Sequence, residues 1–145
     1  MKRIKTETEA RGAEVNLFAI GINDAQYVES QKTRRVEPEE FENNLEKLLN
    51  ISSSFVGKVI FLSLTPVDES KTCPIPWDQD KFYYNNNVGE YNQIIKEFCG
   101  HNNLDFIDVF QIVKQEDLED GLHPNTEGHK KIFEKVKKYL RENNV

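Results

Sequence analysis

Asp120-Gly121-Leu122-His123-Pro124-Asn125 places a carboxylate three residues before an imidazole. The segment reads as a tight turn ahead of a predicted helix. At that spacing Asp120 can accept a hydrogen bond from one ring nitrogen of His123, which leaves the other nitrogen oriented as a base. A second short segment, Gly21-Ile22-Asn23-Asp24, follows a predicted strand near the front of the chain. A carboxamide at that place can donate to a developing oxyanion, and one such donor is worth on the order of 3 kcal/mol in a transition state. Asp24 would hold the loop through backbone amides. A base, an orienting carboxylate and an oxyanion donor together describe acyl transfer.

Each segment also has a plainer reading. Asp-Gly is ordinary turn chemistry, Pro-Asn-Thr is a helix start, and Gly-x-Asn-Asp can be a strand end followed by an Asx-rich turn. Turn chemistry accounts for Gly121, Pro124 and Asn125. It does not call for both Asp120 and His123. The other histidines are plainer still: His129 reads as a surface or half-buried residue of the last helix, and His101 as solvated in a Gly-His-Asn-Asn turn. Three histidines this dispersed do not make a metal site by spacing.

The elements that must position these residues alternate in type. Residues 1–11 are helix-like, with Ile4 their clearest apolar anchor. Val15–Ile20 is a near-continuous apolar run closed by Gly21, the pattern of a strand buried on both faces. Residues 25–36 read as polar loop. Pro38 fits the first turn of a helix with Glu37, Glu39 and Glu40 near its positive end, and Phe41, Leu45, Leu48 and Leu49 recur down one face. Val59–Leu64 is a second strand, followed by a long aromatic loop over residues 65–86 with Trp77, Phe82, Tyr83 and Tyr84. A helix from Val88 to Cys99, a short strand at Leu104–Val109 and a last helix capped by Asn125 or Thr126 complete the chain. The last helix presents Ile132, Phe133, Val136, Tyr139 and Leu140 as its buried stripe.

Strand, helix, strand, helix, strand, helix implies an α/β fold, with a parallel sheet, right-handed crossovers and helices on its faces. Functional groups in such folds gather at the carboxyl ends of the strands. The Gly21–Asp24 turn, the long loop and the Asp120–His123 turn all fall at that edge.

Composition sets bounds on function. The 145 residues suit one domain, and the net charge of -6 lacks the basic surplus of a nucleic-acid binder. The lysines of the last helix are interleaved with Glu127 and Glu134 and read as a solvated face. Cys73 and Cys99 make neither a disulfide framework nor a zinc site and fit a reducing, cytoplasmic setting. No apolar run reaches the roughly 18 residues of a membrane span, and residues 1–12 carry no apolar signal region.

Gly21-x-Asn23-Asp24, followed much later by Asp120-x-x-His123-Pro124-Asn125 with Gly128-His129 just beyond, resembles blocks three and five of the SGNH (GDSL-type) hydrolases. The resemblance covers essentially the whole chain. It implies a three-layer, flavodoxin-like fold and cleavage of esters without a metal or other cofactor. It also implies His123 as general base, Asp120 as its orienting carboxylate and Asn23 as an oxyanion donor, with Gly21 and Asp24 on the substrate side of their turn.

The sequence departs from that family in one respect. Its Gly-Asp-Ser block, bearing the nucleophile, belongs after a strand well before Gly21, and a further glycine block should follow it. The twenty residues ahead of Gly21 contain no serine and only Gly12. The first two β-α units of the fold are therefore expected to be missing. Ser30 and Ser70 lie in loops on the correct edge, Ser63 sits in a strand, and Ser52, Ser53 and Ser54 end a helix; none sits on the sharp strand-to-helix turn that fixes a nucleophile. The absent strand would neighbour Val15–Ile20, leaving that strand as an open edge for self-association.

Two other readings stand beside a small-molecule ester hydrolase. One is a non-catalytic module that holds a carbohydrate or acyl group on the aromatic loop, although those aromatics read more simply as cover for the sheet edge. The other is a receiver-type phospho-acceptor at Asn23-Asp24. It would need an acidic cluster and a lysine after a later strand, for which Lys114 is a loose candidate, and it leaves the Asp-x-x-His turn unexplained.

Overall fold

The computed structural model describes residues 2–145. Its elements run α1 (Lys2–Arg11), β1 (Val15–Phe18), β2 (Tyr27–Val28), β3 (Thr33–Arg34), α2 (Pro38–Ser52), β4 (Lys58–Leu62), α3 (Glu69–Thr72), β5 (Lys81–Phe82), α4 (Asn85–His101), β6 (Asp105–Ile107) and α5 (Thr126–Glu142), with a 3-10 turn at Gln115–Asp117 ahead of α5. The Ile4 side chain, named above as the anchor of α1, lies outside the described residues.

Three strands form the main sheet in the order β1-β4-β6, all parallel, with Leu17 opposite Ile60 and Phe61 opposite Phe106. Successive β4 side chains point to opposite faces, as strand geometry requires. Val59 and Phe61 join the core formed by Phe41, Leu45 and Leu48 of α2 and Tyr91, Ile95 and Phe98 of α4. Ile60 and Leu62 turn the other way and, with Ile107 and Val109, meet Ile132, Val136, Tyr139 and Leu140 of α5. The result is three layers, with helices on both faces of a parallel sheet. Burying one such large apolar side chain contributes roughly 1.5–3 kcal/mol, so the α2–α4 face holds most of the stabilising burial.

Four local features differ from the pattern read in the sequence. The β1 strand is not buried on both faces: Leu17 is 42% exposed, and Ile20 just beyond it is 37% exposed. It lies at the margin of the sheet, paired on one side only among the described residues. Residues 25–36 are not all loop, because β2 and β3 pair antiparallel there. The long loop likewise contains α3 and β5, and β5 pairs with β2 to give a second small sheet in the order β3-β2-β5. Strands of two residues carry no periodicity from which to be read. The stripe on α5 is only partly buried, and its Phe133 is exposed, under the Lys137 ammonium.

The second sheet matters for position. It ties the segment after β1 to the loop after β4, which both leave the carboxyl edge of the main sheet.

Candidate active site

Asp120 and His123 meet as their spacing predicts. Oδ2 of Asp120 lies 2.7 Å from Nδ1 of His123, while Oδ1 accepts from the backbone N–H of His123 at 2.8 Å and of Leu122 at 3.0 Å. Burial pushes the Asp120 carboxyl up, but the backbone N–H and ring of His123 and the backbone N–H of Leu122 outweigh it and hold the group down to about 2. The carboxylate is thus an acceptor at neutral pH, and Nδ1 carries the proton toward it. Nε2 is the ring nitrogen left outside that bond.

Backbone bonds fix the turn that carries the pair. The N–H of Glu119 donates to the His123 carbonyl at 2.9 Å, and the N–H of Asn125 donates to the Asp117 carbonyl at 2.8 Å. Buried Asp117 accepts from the Lys131 ammonium at 2.6 Å, pinning the 3-10 turn to α5. Gly121 has φ +88°, and a Cβ there would stand 2.7 Å from Cβ of Lys71. Its carbonyl accepts from the N–H of Asp68 at 2.8 Å, so only glycine allows α3 to close on the turn.

Asn23 sits on the turn after β1. The N–H groups of Asp24 and Ala25 both donate to the Gly21 carbonyl at 3.1 Å. Gly21 is buried with φ +118°, and a Cβ there would press on Phe41, Leu64 and Ile95. Asn23 itself is exposed, and its Oδ1 accepts from the Tyr83 hydroxyl at 2.9 Å. The carboxamide is therefore held by its oxygen, and its N–H groups are left to donate elsewhere. Asp24 is half-buried; burial pushes its carboxyl up, partly offset by its own backbone N–H and the Arg35 charge.

One residue of each motif, Ile22 and Pro124, lines a cavity of about 290 Å³ together with Ile20, Leu62, Leu64, Ile132 and His129; Asn23, Asp120 and His123 are not part of its lining. His129 is exposed at its side, and His101 is exposed at the end of α4. The loop between β4 and α4 touches both motifs, since Tyr83 holds Asn23 and Trp77 stacks on His123 with ring centroids 6.3 Å apart and planes 26° apart. Trp77 is 57% exposed. The partnership of Trp77 with His123, and of Tyr83 with Asn23, was not legible in sequence. A 22-residue loop rich in aromatics pointed to the region but not to the pairings.

No serine hydroxyl among the described residues is bonded to His123. Ser30 and Ser70 donate to the Asp80 and Asp68 carboxylates, both at 2.6 Å. Ser63 is buried, donating to the Leu64 carbonyl and accepting from the N–H of Val109. Ser52 accepts from Asn16 at 2.6 Å, and it closes α2 with Ser53 and Ser54 at the amino edge of the sheet. Among the described residues no group of three or more His, Cys, Asp or Glu could hold a metal ion.

The sequence model of the GDSL-like lipase/acylhydrolase family matches residues 3–131. The chain belongs to that family. Solved structures of the GDSL-like type share its fold. A GDSL-like lipase from Bacteroides thetaiotaomicron superposes with a TM-score of 0.78 at 17% identity, over 98% of this chain and 69% of that one. A lipase/acylhydrolase from Enterococcus faecalis gives 0.74 at 22%, over 98% and 68%. A catalytic mutant of an acetylxylan esterase from Geobacillus stearothermophilus gives 0.67 at 18%, over 97% and 64%. No curated protein matches the chain significantly in sequence. This GDSL-like chain thus has the three-layer α/β fold of esterases and lipases and spans about two thirds of their length.

Proposed function

We propose that this domain supplies the base, the orienting carboxylate and the oxyanion donor of a serine ester hydrolase acting on a small-molecule ester. The observation that carries the reading is the two-oxygen grip of Asp120 on His123: one oxygen on the ring at 2.7 Å, the other on the residue's own N–H at 2.8 Å. A turn needs the second bond. It does not need the first, which selects the tautomer with Nε2 basic and stabilises the imidazolium that forms when a hydroxyl is deprotonated.

In the proposed reaction Nε2 of His123 removes the proton of an attacking serine hydroxyl, and later returns it to the leaving alcohol. Charge that builds on the ester carbonyl oxygen is met by the Asn23 carboxamide. Gly21 and Asp24 contribute by shaping the turn that presents it to substrate. The serine is supplied by polypeptide outside these residues, since the serine hydroxyls on this edge, Ser30 and Ser70, are bonded to Asp80 and Asp68. Three mutants of the acetylxylan esterase support the assignment. Catalytic mutants of the acetylxylan esterase alter an aspartate and a histidine three positions apart, the spacing of Asp120 and His123, and a third alters a serine.

Hydrolysis of p-nitrophenyl acetate tests this. The chain alone should turn over no faster than His123→Ala, and a polypeptide bearing the serine should raise turnover by several orders of magnitude, because such residues work as a unit. Restored turnover that survives His123→Ala would sink the proposal. A second reading, a module that binds a carbohydrate or acyl group without cleaving it, is favoured by exposed Trp77 alone. It predicts ligand-dependent change in the fluorescence of this single tryptophan and no gain in turnover on adding the serine.

A further inference from the structure

Two buried side chains and one exposed one form a hydrogen-bonded line that runs in one direction. Nε2 of Gln26 donates to the Tyr83 hydroxyl at 2.6 Å, and that hydroxyl donates to Oδ1 of Asn23 at 2.9 Å. Gln26 and Tyr83 are buried, and Asn23 is exposed at the end of the line. The residues come from two segments: Asn23 and Gln26 from the turn after β1, Tyr83 from the position after β5.

The direction of this line has a chemical consequence. A hydroxyl has one proton to give. Because Gln26 presents an N–H to Tyr83, the phenol oxygen is occupied as an acceptor and its proton goes to Asn23. The Asn23 amide is then fixed with its oxygen inward and its nitrogen outward. Each donation also polarises the next group, so the outward N–H bonds become better donors. Were the Gln26 amide reversed, Tyr83 would donate to Gln26, and Asn23 could turn its nitrogen inward to the phenol oxygen. The outward donor would be lost. Burial pushes the Tyr83 hydroxyl above its ordinary range, so it keeps the proton the line requires.

The line also has a cost. Oε1 of Gln26 is buried and has no hydrogen-bond partner among the described residues. A buried carbonyl left unpaired destabilises a fold, and a leucine of similar size at position 26 would avoid it. What the amide gives in return is its bond to Tyr83, which sets the direction of the line.

We infer that Tyr83 and Gln26 are positioning residues that set the Asn23 carboxamide as an outward donor for the oxyanion of ester hydrolysis. The inference rests on the oxyanion role proposed for Asn23. Its structural content can be read separately from turnover.

The test uses the 15N-labelled full chain. The side-chain NH2 signals of Asn23 are identified by their loss in Asn23→Asp. In Tyr83→Phe those signals should move toward the positions of a free amide, while backbone signals of β4, α4 and α5 stay in place. In Gln26→Leu the same signals should move and the thermal midpoint should stay or rise. Unmoved Asn23 signals in a folded Tyr83→Phe chain overturn the inference. If Tyr83→Phe fails to fold, Gln26→Leu decides: unmoved signals, or a lowered midpoint with backbone shifts throughout the chain, overturn it. On the serine-complemented protein, Tyr83→Phe should lower kcat for p-nitrophenyl acetate at least tenfold with KM unchanged. An equal rise in KM with kcat kept would instead make Tyr83 a binding residue and overturn its positioning role. Full turnover in Asn23→Ala would remove the oxyanion role itself, whatever the NMR signals show.

Discussion

At the scale of single residues, Asp120 has two separable jobs: closing the turn and orienting the ring. Its folded value, about 2, lies below the ordinary 3.8. A depressed carboxyl stabilises the fold where it is ionised, so its contribution is complete above about pH 5 and is lost as the pH falls through about 2. Asp120→Asn removes that titration. In urea denaturation, the stability gap between the natural chain and Asp120→Asn should narrow between about pH 5 and pH 2. A gap that stays constant over this window would show that the carboxylate does not gain its bonds on folding. The same variant should lower turnover of the serine-complemented protein by roughly 10³–10⁴-fold, since an amide favours the wrong tautomer of His123. Gly121 acts differently, through its backbone. A methyl group there meets Cβ of Lys71 at 2.7 Å in a φ of +88°. Gly121→Ala should cost about 1–3 kcal/mol in chemical denaturation, and a cost near zero would mean that α3 does not close on the turn as described.

At the scale of elements, what could be read in the sequence is what repeats. The apolar spacing of Phe41, Leu45 and Leu48 gave α2 its buried face, and Tyr91, Ile95 and Phe98 did the same for α4. The local pair Asp120–His123 was legible because both partners lie within one turn. Pairings between distant segments were not. Tyr83 to Asn23 spans sixty positions, and β2 to β5 joins two-residue strands that show no alternation. The start of α5 was legible through Asn125, and here the structure adds to the cap. Oδ1 accepts from the N–H of Glu127 and of Gly128, both at 3.0 Å, while Nδ2 donates to the Glu116 carbonyl at 2.8 Å. Asn125 therefore ties α5 to the turn that holds His123. Asn125→Ala should cost about 1–2 kcal/mol, at the upper end for a cap. Asn125→Asp keeps the cap and loses the bond to Glu116, so its cost should fall between those of the natural chain and the alanine variant. Equal costs for the two variants would locate the whole effect at the Glu116 bond.

At the scale of the whole molecule, the decisive feature is asymmetry. One face of the main sheet is closed by α2 and α4, whose core residues are almost wholly buried. The other is covered by α5 alone, whose apolar residues are at most half-buried. On that side β1 is a margin strand with Leu17 42% and Ile20 37% exposed, and the open groove lies at its carboxyl end. Strand margins with free N–H and C=O groups pair with other chains unless charge or a bulge prevents it. Glu14 and Arg11 stand before β1, but none of its four residues is charged. The isolated chain should therefore self-associate through β1, and light scattering should show a mass that rises with concentration across the micromolar range. Leu17→Lys with Ile20→Lys puts two like charges on that margin without touching the α2–α4 core. It should return the chain to a monomer of 16.9 kDa with the fold kept by circular dichroism. A natural chain that stays monodisperse and monomeric at every concentration would rule out β1 as a docking margin, and the exposed leucine and isoleucine would then be ordinary surface.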